Sequence, residues 1–221
     1  MKTFLITGSN RGIGLEFVKQ LKGRGDNVIA TCRSASEELN NLGVQVIENI
    51  DINSSKSIEI LKDRLNEKSL DCLIHNAGIA EFNSFENLNS NSIKKQFEIN
   101  ALSPLVMTKS LINIFNENSK IAFISSRMGS IYDNNSGSSY GYRMSKVALS
   151  MAAKSLSIDL LERNIFVAIL HPGLVKTRMT NFTKNGITPQ KSVKGLLKRI
   201  DLLNRSNTGT FWHANGEVLP W

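Results

Sequence analysis

The stretch Thr3-Phe4-Leu5-Ile6-Thr7-Gly8-Ser9-Asn10-Arg11-Gly12-Ile13-Gly14 decides the fold. A short β-prone run leads straight into glycines spaced G-x-x-x-G-x-G. Behind them Ile13, Phe17, Val18 and Leu21 recur at helical spacing. Strand, glycine turn and helix in that order make a cradle for phosphate. Gly8 permits the tight turn, Gly12 lets a pyrophosphate approach the backbone, and Gly14 lets the helix pack closely on the strand. The helix start adds unpaired N–H groups and the positive end of a dipole. Ser9, Asn10, Arg11 and Ile13 fall within this turn and are assigned with its glycines to a dinucleotide. The spacing departs from G-x-G-x-x-G, so the flanking strand and helix carry the assignment.

Further runs repeat the pattern. Val28–Cys32, Val44–Glu48, Cys72–Asn76, Ile121–Ser125 and Phe166–His171 are apolar at nearly every residue, as strands covered on both faces are. Helical patterns lie between them, with two longer ones near Ser92–Phe115 and Tyr142–Glu162. This predicts an α/β fold: a Rossmann-type, doubly wound parallel sheet of about seven strands, helices on both faces, in a single domain over residues 1–221. Ligands of such a sheet sit at the carboxyl ends of the strands, where chain order reverses.

Composition narrows the function. The 221 residues hold 27 basic and 19 acidic side chains, a net charge of +8. The excess is local, because residues 176–205 carry eight basic side chains against Asp201 alone. There Val193, Leu196, Leu197, Ile200 and Leu203 form a helical apolar stripe, and the lysines fall largely off it. A solvated helix face is expected, not a nucleic-acid or membrane surface. No apolar run approaches the roughly 20 residues of a membrane helix, and the start does not read as a signal peptide, so a cytoplasmic location is expected. Cys32 and Cys72 lie in strand-like runs and read as buried free thiols. No metal site is expected, since His75, His171 and His213 are scattered.

The second strand ends Ala30-Thr31-Cys32-Arg33-Ser34, without the carboxylate that selects NAD through the ribose diol. Arg33 takes that place, with Arg11 a second cation facing the same site. A guanidinium pairs well with a 2′-phosphate. NADP(H) is therefore the expected cofactor, with NAD(H) an open second; the competing reading makes the arginines solvated surface charges. After the fifth strand, Ser126 precedes Tyr142 and Lys146, which share one helix face four residues apart. A phenol titrates near 10, and a neighbouring ammonium favours the phenolate. The pair is a candidate proton donor and its modulator.

Together these motifs resemble the short-chain dehydrogenase/reductase family, in its T-G-x-x-x-G-x-G subtype. The matches are Thr7–Gly14, Asp51, Asn76-Ala77-Gly78, Asn100, Ser126, Tyr142 with Lys146, and Pro172-Gly173-Leu174-Val175-Lys176-Thr177. The stretch Ser125–Ser150 is closest to the carbonyl-reductase branch that contains sniffer and the C-factor-like bacterial proteins. The resemblance implies NADPH-dependent reduction of an aldehyde or ketone. Tyr142 would protonate the carbonyl oxygen, Ser126 would orient it, and Lys146 would lower the phenol's pKa and hold the nicotinamide ribose. Asn100 would hold a water linking Lys146 to solvent. Asp51 and Ile52 would meet the adenine, and Asn76, Ala77 and Gly78 would floor the site. Pro172, Gly173, Val175 and Thr177 would line the nicotinamide. A homodimer or homotetramer through the two long helices is implied, with a small carbonyl or alcohol as the other partner. Asn76 and Asn100 also read as satisfied core groups, and Asp51 as a helix cap.

Ser126 lies 16 residues before Tyr142, where 13 is commonest, and Ser130 lies 12 before it. Ser126 is preferred because it closes the strand and Gly129 follows in an S-x-x-G pattern. The span near 173–189 is short for a substrate lid, which predicts an open pocket; Met128, Tyr132, Leu174 and Met179 are its candidate lining and read equally as core or lid packing. The alternative function is a cofactor-binding signalling protein of the C-factor-like type.

Overall fold

A computed structural model describes residues 1–65 and 68–221. Its strands are β1 (Thr3–Thr7), β2 (Asn27–Thr31), β3 (Gln45–Ile47), β4 (Leu70–His75), β5 (Phe115–Ile124), β6 (Phe166–His171) and β7 (Phe211–His213). All pair in parallel, in the order β3-β2-β1-β4-β5-β6-β7. The helices are α1 (Gly12–Gly23), α2 (Glu37–Asn40), α3 (Ser55–Arg64), α4 (Ser90–Phe97), α5 (Ser103–Leu111), α6 (Tyr140–Asp159) and α7 (Pro189–Asp201). The sheet is thus the doubly wound one expected.

Period-two alternation assigns the strand side chains to two buried layers. Phe4 and Ile6 of β1, Ala122 of β5 and Leu170 of β6 pack with α1 and α7 on one face. Leu5, Leu73 and Ile29 pack with α3 and α5 on the other, and Phe123 and Val167 meet α6 there. In α7 the stripe Val193, Leu196, Leu197 and Ile200 is buried, while Lys191, Lys194 and Lys198 are exposed. Thr188 caps this helix by accepting from Lys191 N at 3.3 Å, and Pro189 opens it.

Two boundaries differ from the sequence reading. Phe115 starts a strand instead of ending a helix, because it pairs with Leu70 at the far end of β4. The ladder then shifts register before Cys72 meets Lys120. Residues Glu98–Leu102, inside the first long helical region, form a π-helical turn between α4 and α5. Pro104 has no N–H to return to the Asn100 carbonyl, which weakens the regular ladder there. The reversal of strand order falls between β1 and β4, so the crevice at their carboxyl ends lies between the glycine turn and Asn76.

Candidate active site

The glycine turn is braced from β4. Thr7 Oγ1 accepts the N–H groups of Asn76 and Ala77, each at 3.0 Å. Asn76 Nδ2 donates to the carbonyls of Thr7 at 2.9 Å and Gly8 at 3.1 Å. A side chain at Gly14 would collide with the Gly8 carbonyl and with Asn76 Nδ2, so the close approach requires glycine. Gly8 and Gly12 both hold positive φ, 67° and 57°. A Cβ on Gly12 would reach to 3.5 Å from Thr177 Cγ2, so the turn and the segment after β6 face one another across a gap the missing side chain leaves. Asn10 ties the turn to the end of β2 through the Ser34 carbonyl, 3.2 Å away. Ser9 turns inward: its hydroxyl donates to the Ile6 carbonyl at 2.8 Å and its N–H to the Thr31 carbonyl.

Arg11 and Arg33 are exposed, and neither has an ion-pair partner among the described residues. The loop bearing Asp51 and Ile52 lies against the end of β2, through Asn49 N to the Arg33 carbonyl and Ile50 N to the Cys32 carbonyl. Asp51 is exposed and accepts from Asn53 N at 2.9 Å, while Ser54 caps α3. The glycine turn, two free cations and the β3–α3 loop thus share one end of the sheet. These residues fit a dinucleotide carrying an extra phosphate.

The phenol of Tyr142 is buried in the first turn of α6. Burial pushes it up to about 12, and a hydrogen bond with Ser126 pulls the other way. The expected lowering by Lys146 is not what this arrangement displays. Lys146 Nζ donates to the Ile124 carbonyl at 2.8 Å and lies 5.7 Å from the centre of the Tyr142 ring. Burial lowers Lys146 to about 8. The ammonium therefore titrates near neutrality while the phenol stays protonated.

Ser126 follows β5, is buried, and accepts from Met128 N at 3.1 Å. The rival Ser130 is committed elsewhere: its hydroxyl donates to the Trp221 carbonyl and accepts from Asp133 N, both at 3.1 Å. Asn100 sits in the π turn. Its Nδ2 donates to the Ile79 carbonyl at 2.8 Å and to Ser145 Oγ at 3.0 Å, and its Oδ1 accepts from Ile79 N at 2.8 Å. A Cβ on Gly78 would lie 3.0 Å from Asn100 Oδ1 and 3.8 Å from Lys146 Nζ. Gly78 therefore leaves space between these two polar groups.

Pro172 and Gly173 follow β6 directly, and the Pro172 carbonyl accepts from Ser192 Oγ of α7 at 2.6 Å. Val175 is buried and bridges to Ile187. That bridge uses Lys176 N and the Leu174 carbonyl, closing the base of the 176–186 loop. Thr177 N donates to Thr180 Oγ1, which in turn donates to the Val175 carbonyl at 2.6 Å. Leu174, Met179 and Tyr132 are exposed, so none of them is core. A partly open cavity of about 150 Å³ lies at the opposite end of the sheet, around Lys2, Asp71 and Lys120, away from all of these groups.

Thr7 belongs to the turn motif read from the sequence, and three further residues that shape the site were missed there. Thr7 and Ser145 act through their hydroxyls, Gln96 through a buried amide, and Phe82 through its ring, which meets that of Tyr142 edge-on at 5.8 Å. Only Thr7 carried a local signal, its place immediately before the turn. The others depend on contacts between distant segments. Among the described residues no group of three or more His, Cys, Asp or Glu could hold a metal, and no helix is long and apolar enough to cross a membrane.

A family model described as short chain dehydrogenase matches residues 2–187. The 1-hydroxy-2-glutathionyl-2-methyl-3-butene dehydrogenase of Rhodococcus sp. (strain AD45) is 37% identical over 226 residues, covering 100% of both chains. The C-signal of Myxococcus xanthus is 37% identical over 155 residues, 69% of this chain and 93% of that one. The crystal structure of NADPH-bound carbonyl reductase from chicken fatty liver matches with a TM-score of 0.91 at 30% identity, covering 100% of this chain and 99% of that one.

Proposed function

The chain belongs to the short-chain dehydrogenase family and is an NAD(P)-dependent oxidoreductase, and on that premise we propose that it reduces an aldehyde or ketone to an alcohol with NADPH. One observation carries the reading: a buried, protonated phenol shares a site with Ser126 and Lys146 at the carboxyl end of β5, one strand from the switch point of the sheet. The chemistry supplied by bound NADPH is hydride donation. Tyr142 gives its proton to the carbonyl oxygen as negative charge develops there. Ser126 donates a hydrogen bond to the same oxygen and orients it. Lys146, as ammonium, stabilises the phenolate left behind and holds the nicotinamide ribose. A water in the space beside Gly78 links Lys146 to Asn100 and onward to solvent.

The remaining residues bind. Backbone groups from Gly8 to Gly14 take the pyrophosphate; Asn10 braces that turn and Ser9 shapes it. Arg11 and Arg33 take the 2′-phosphate and set NADP(H) above NAD(H). Asp51 and Ile52 border the adenine, and Asn76, Ala77 and Gly78 form the floor. Pro172, Gly173, Val175 and Thr177 line the nicotinamide. The segment near 173–189 acts as a short lid over an open pocket. The buried thiols Cys32 and Cys72 suit a reducing, cytoplasmic setting.

The partner proposed beside the substrate is a second copy. Met144, Met151 and Ile158 form an exposed apolar stripe along α6, with Leu102 and Val106 exposed on the π turn and α5 that pack beside it. Light scattering should show a homodimer or homotetramer that Met151→Lys dissociates; a monomeric wild type refutes the assembly.

Function is tested by NADPH oxidation against a panel of aldehydes and ketones. Tyr142→Phe should bind NADPH and lose turnover about 10²- to 10⁴-fold. Retained turnover overturns the mechanism. The likeness to C-signal favours a second reading, a signalling protein that needs the cofactor but not the reaction. The intact Ser126, Tyr142 and Lys146 set weighs against it, since cofactor binding alone does not need the Ser126 hydroxyl or the Tyr142 phenol.

A further inference from the structure

A strap beside Tyr142, residues 79–83, is pinned at three points. Asn100 clamps Ile79 through both backbone groups, as described above. Gln96, one helical turn earlier, does the same to Glu81. Its Oε1 accepts the Glu81 N–H at 3.0 Å and its Nε2 donates to the Glu81 carbonyl at 3.3 Å. Ser92 Oγ takes another donation from Gln96 Nε2 at 3.2 Å. Ser139 N, at the head of α6, donates to the Asn83 carbonyl at 2.7 Å. Phe82 therefore stands between two pinned neighbours. Its side chain is nonetheless 58% exposed, with its ring edge-on to the Tyr142 ring.

Gln96 is fully buried, and a buried amide costs free energy unless its hydrogen bonds are made. An apolar residue would fill the same space without that cost. What the amide adds is geometry, because a two-point clamp fixes both the height and the rotation of the strap. The clamp also reaches the catalytic helix. A Cβ on Gly141, the residue before Tyr142, would lie 2.6 Å from Gln96 Nε2, so the amide fits only against glycine. The result is an exposed aromatic ring held at a fixed place against the reacting phenol. A ring left in water gains nothing for stability; beside a carbonyl bound at Tyr142 it offers an apolar face and edge.

We propose that Phe82 is a specificity-determining residue, the apolar wall that favours carbonyl compounds bearing a planar aromatic substituent, and that Gln96 is the positioning residue that holds it there. This rests on the carbonyl-reduction reading of Tyr142. Glu81, which precedes Phe82, has its carboxylate tied to Ser92 Oγ at 2.6 Å, so the wall presents a ring flanked by a charge already engaged on α4.

The test compares benzaldehyde with propanal, using the NADPH-loaded protein. Phe82→Ala should lower the benzaldehyde-to-propanal ratio of kcat/KM about fivefold, mainly through a higher KM for benzaldehyde. Phe82→Tyr should restore it. Gln96→Met keeps the volume and removes the clamp, and should move the ratio the same way. If it fails to fold, Gln96→Glu, which keeps the acceptor for the Glu81 N–H and loses the donor, replaces it. A ratio in Phe82→Ala equal to wild type overturns the assignment of Phe82. A Gln96 variant that loses only thermal stability overturns that of Gln96. If wild type reduces neither aldehyde, the panel of carbonyl compounds decides the parent reading and binding decides this one. Saturation-transfer NMR should then show Phe82→Ala weakening benzyl alcohol more than 1-propanol, and equal weakening refutes it.

Discussion

At Tyr142 and Lys146 burial acts in opposite senses on two acids. It raises the phenol to about 12 and lowers the ammonium to about 8. On the proposed reading the donor for reduction, Tyr142, is then protonated throughout the neutral range, and the group that titrates within reach is Lys146. Below about 8 it carries the positive charge that the departing proton of Tyr142 requires; above, that charge is lost. Reduction should therefore fall as pH rises through about 8, read as kcat/KM with NADPH saturating. A flat profile from pH 6 to 9 would contradict the role of Lys146. The second residue-scale prediction concerns Arg33. Its guanidinium has no carboxylate partner among the described residues, so a phosphate would meet it uncompensated. Arg33→Ala should raise the Kd of NADPH about 10- to 100-fold and change that of NADH far less. Equal effects on both cofactors would make it a general surface charge.

The π turn at Glu98–Leu102 shows what an element can hide. Such turns recur at functional sites because they aim a side chain that a regular helix would not. Here the turn aims Asn100 at Ile79 and Ser145. Asn100→Ala leaves both backbone groups of Ile79 without these partners. Urea denaturation should show a loss of about 1–3 kcal/mol, together with lower turnover; an unchanged midpoint would show that water replaces the amide fully. Legibility follows the same line. The glycine turn, the strands and the Tyr142/Lys146 spacing were readable because each is a local pattern. Pro104, inside an apparent helix, was the one local sign of the π turn. The Gln96 clamp and the strand start at Phe115 had none, since each exists only through a partner more than ten residues away. The three-residue β7 was expected only as a count, because Phe211–His213 is too short to show a period and is defined by pairing with β6.

Across the whole molecule the same covered sheet that orders the site also buries imidazoles. His75, at the end of β4, is stacked on Phe123 with centroids 4.7 Å apart and reaches Thr108 Oγ1 at 2.8 Å. Thr108 donates its only hydroxyl proton to the Pro104 carbonyl, so His75 Nε2 carries a hydrogen and donates it to Thr108 Oγ1. Burial lowers His75 to about 3, and lowers His171, beside His213 at the end of β6, to about 3 as well. In the unfolded chain each takes up a proton near 6.5. Between about 6.5 and 3 the unfolded state therefore binds more protons, and stability is lost as pH falls through that window. Each histidine removes about 1.4 kcal/mol per pH unit once the window is entered. By pH 5 the pair removes about 4 kcal/mol, a large share of the roughly 5–15 kcal/mol that folded domains possess. The urea midpoint should therefore drop steeply below pH 6.5, well above the range in which carboxylates titrate. His75→Phe keeps the stacking on Phe123 and leaves Thr108 its bond to Pro104. It should remove about half of the slope between pH 6.5 and 5, and a slope equal to wild type would show that His75 is not held neutral by the fold.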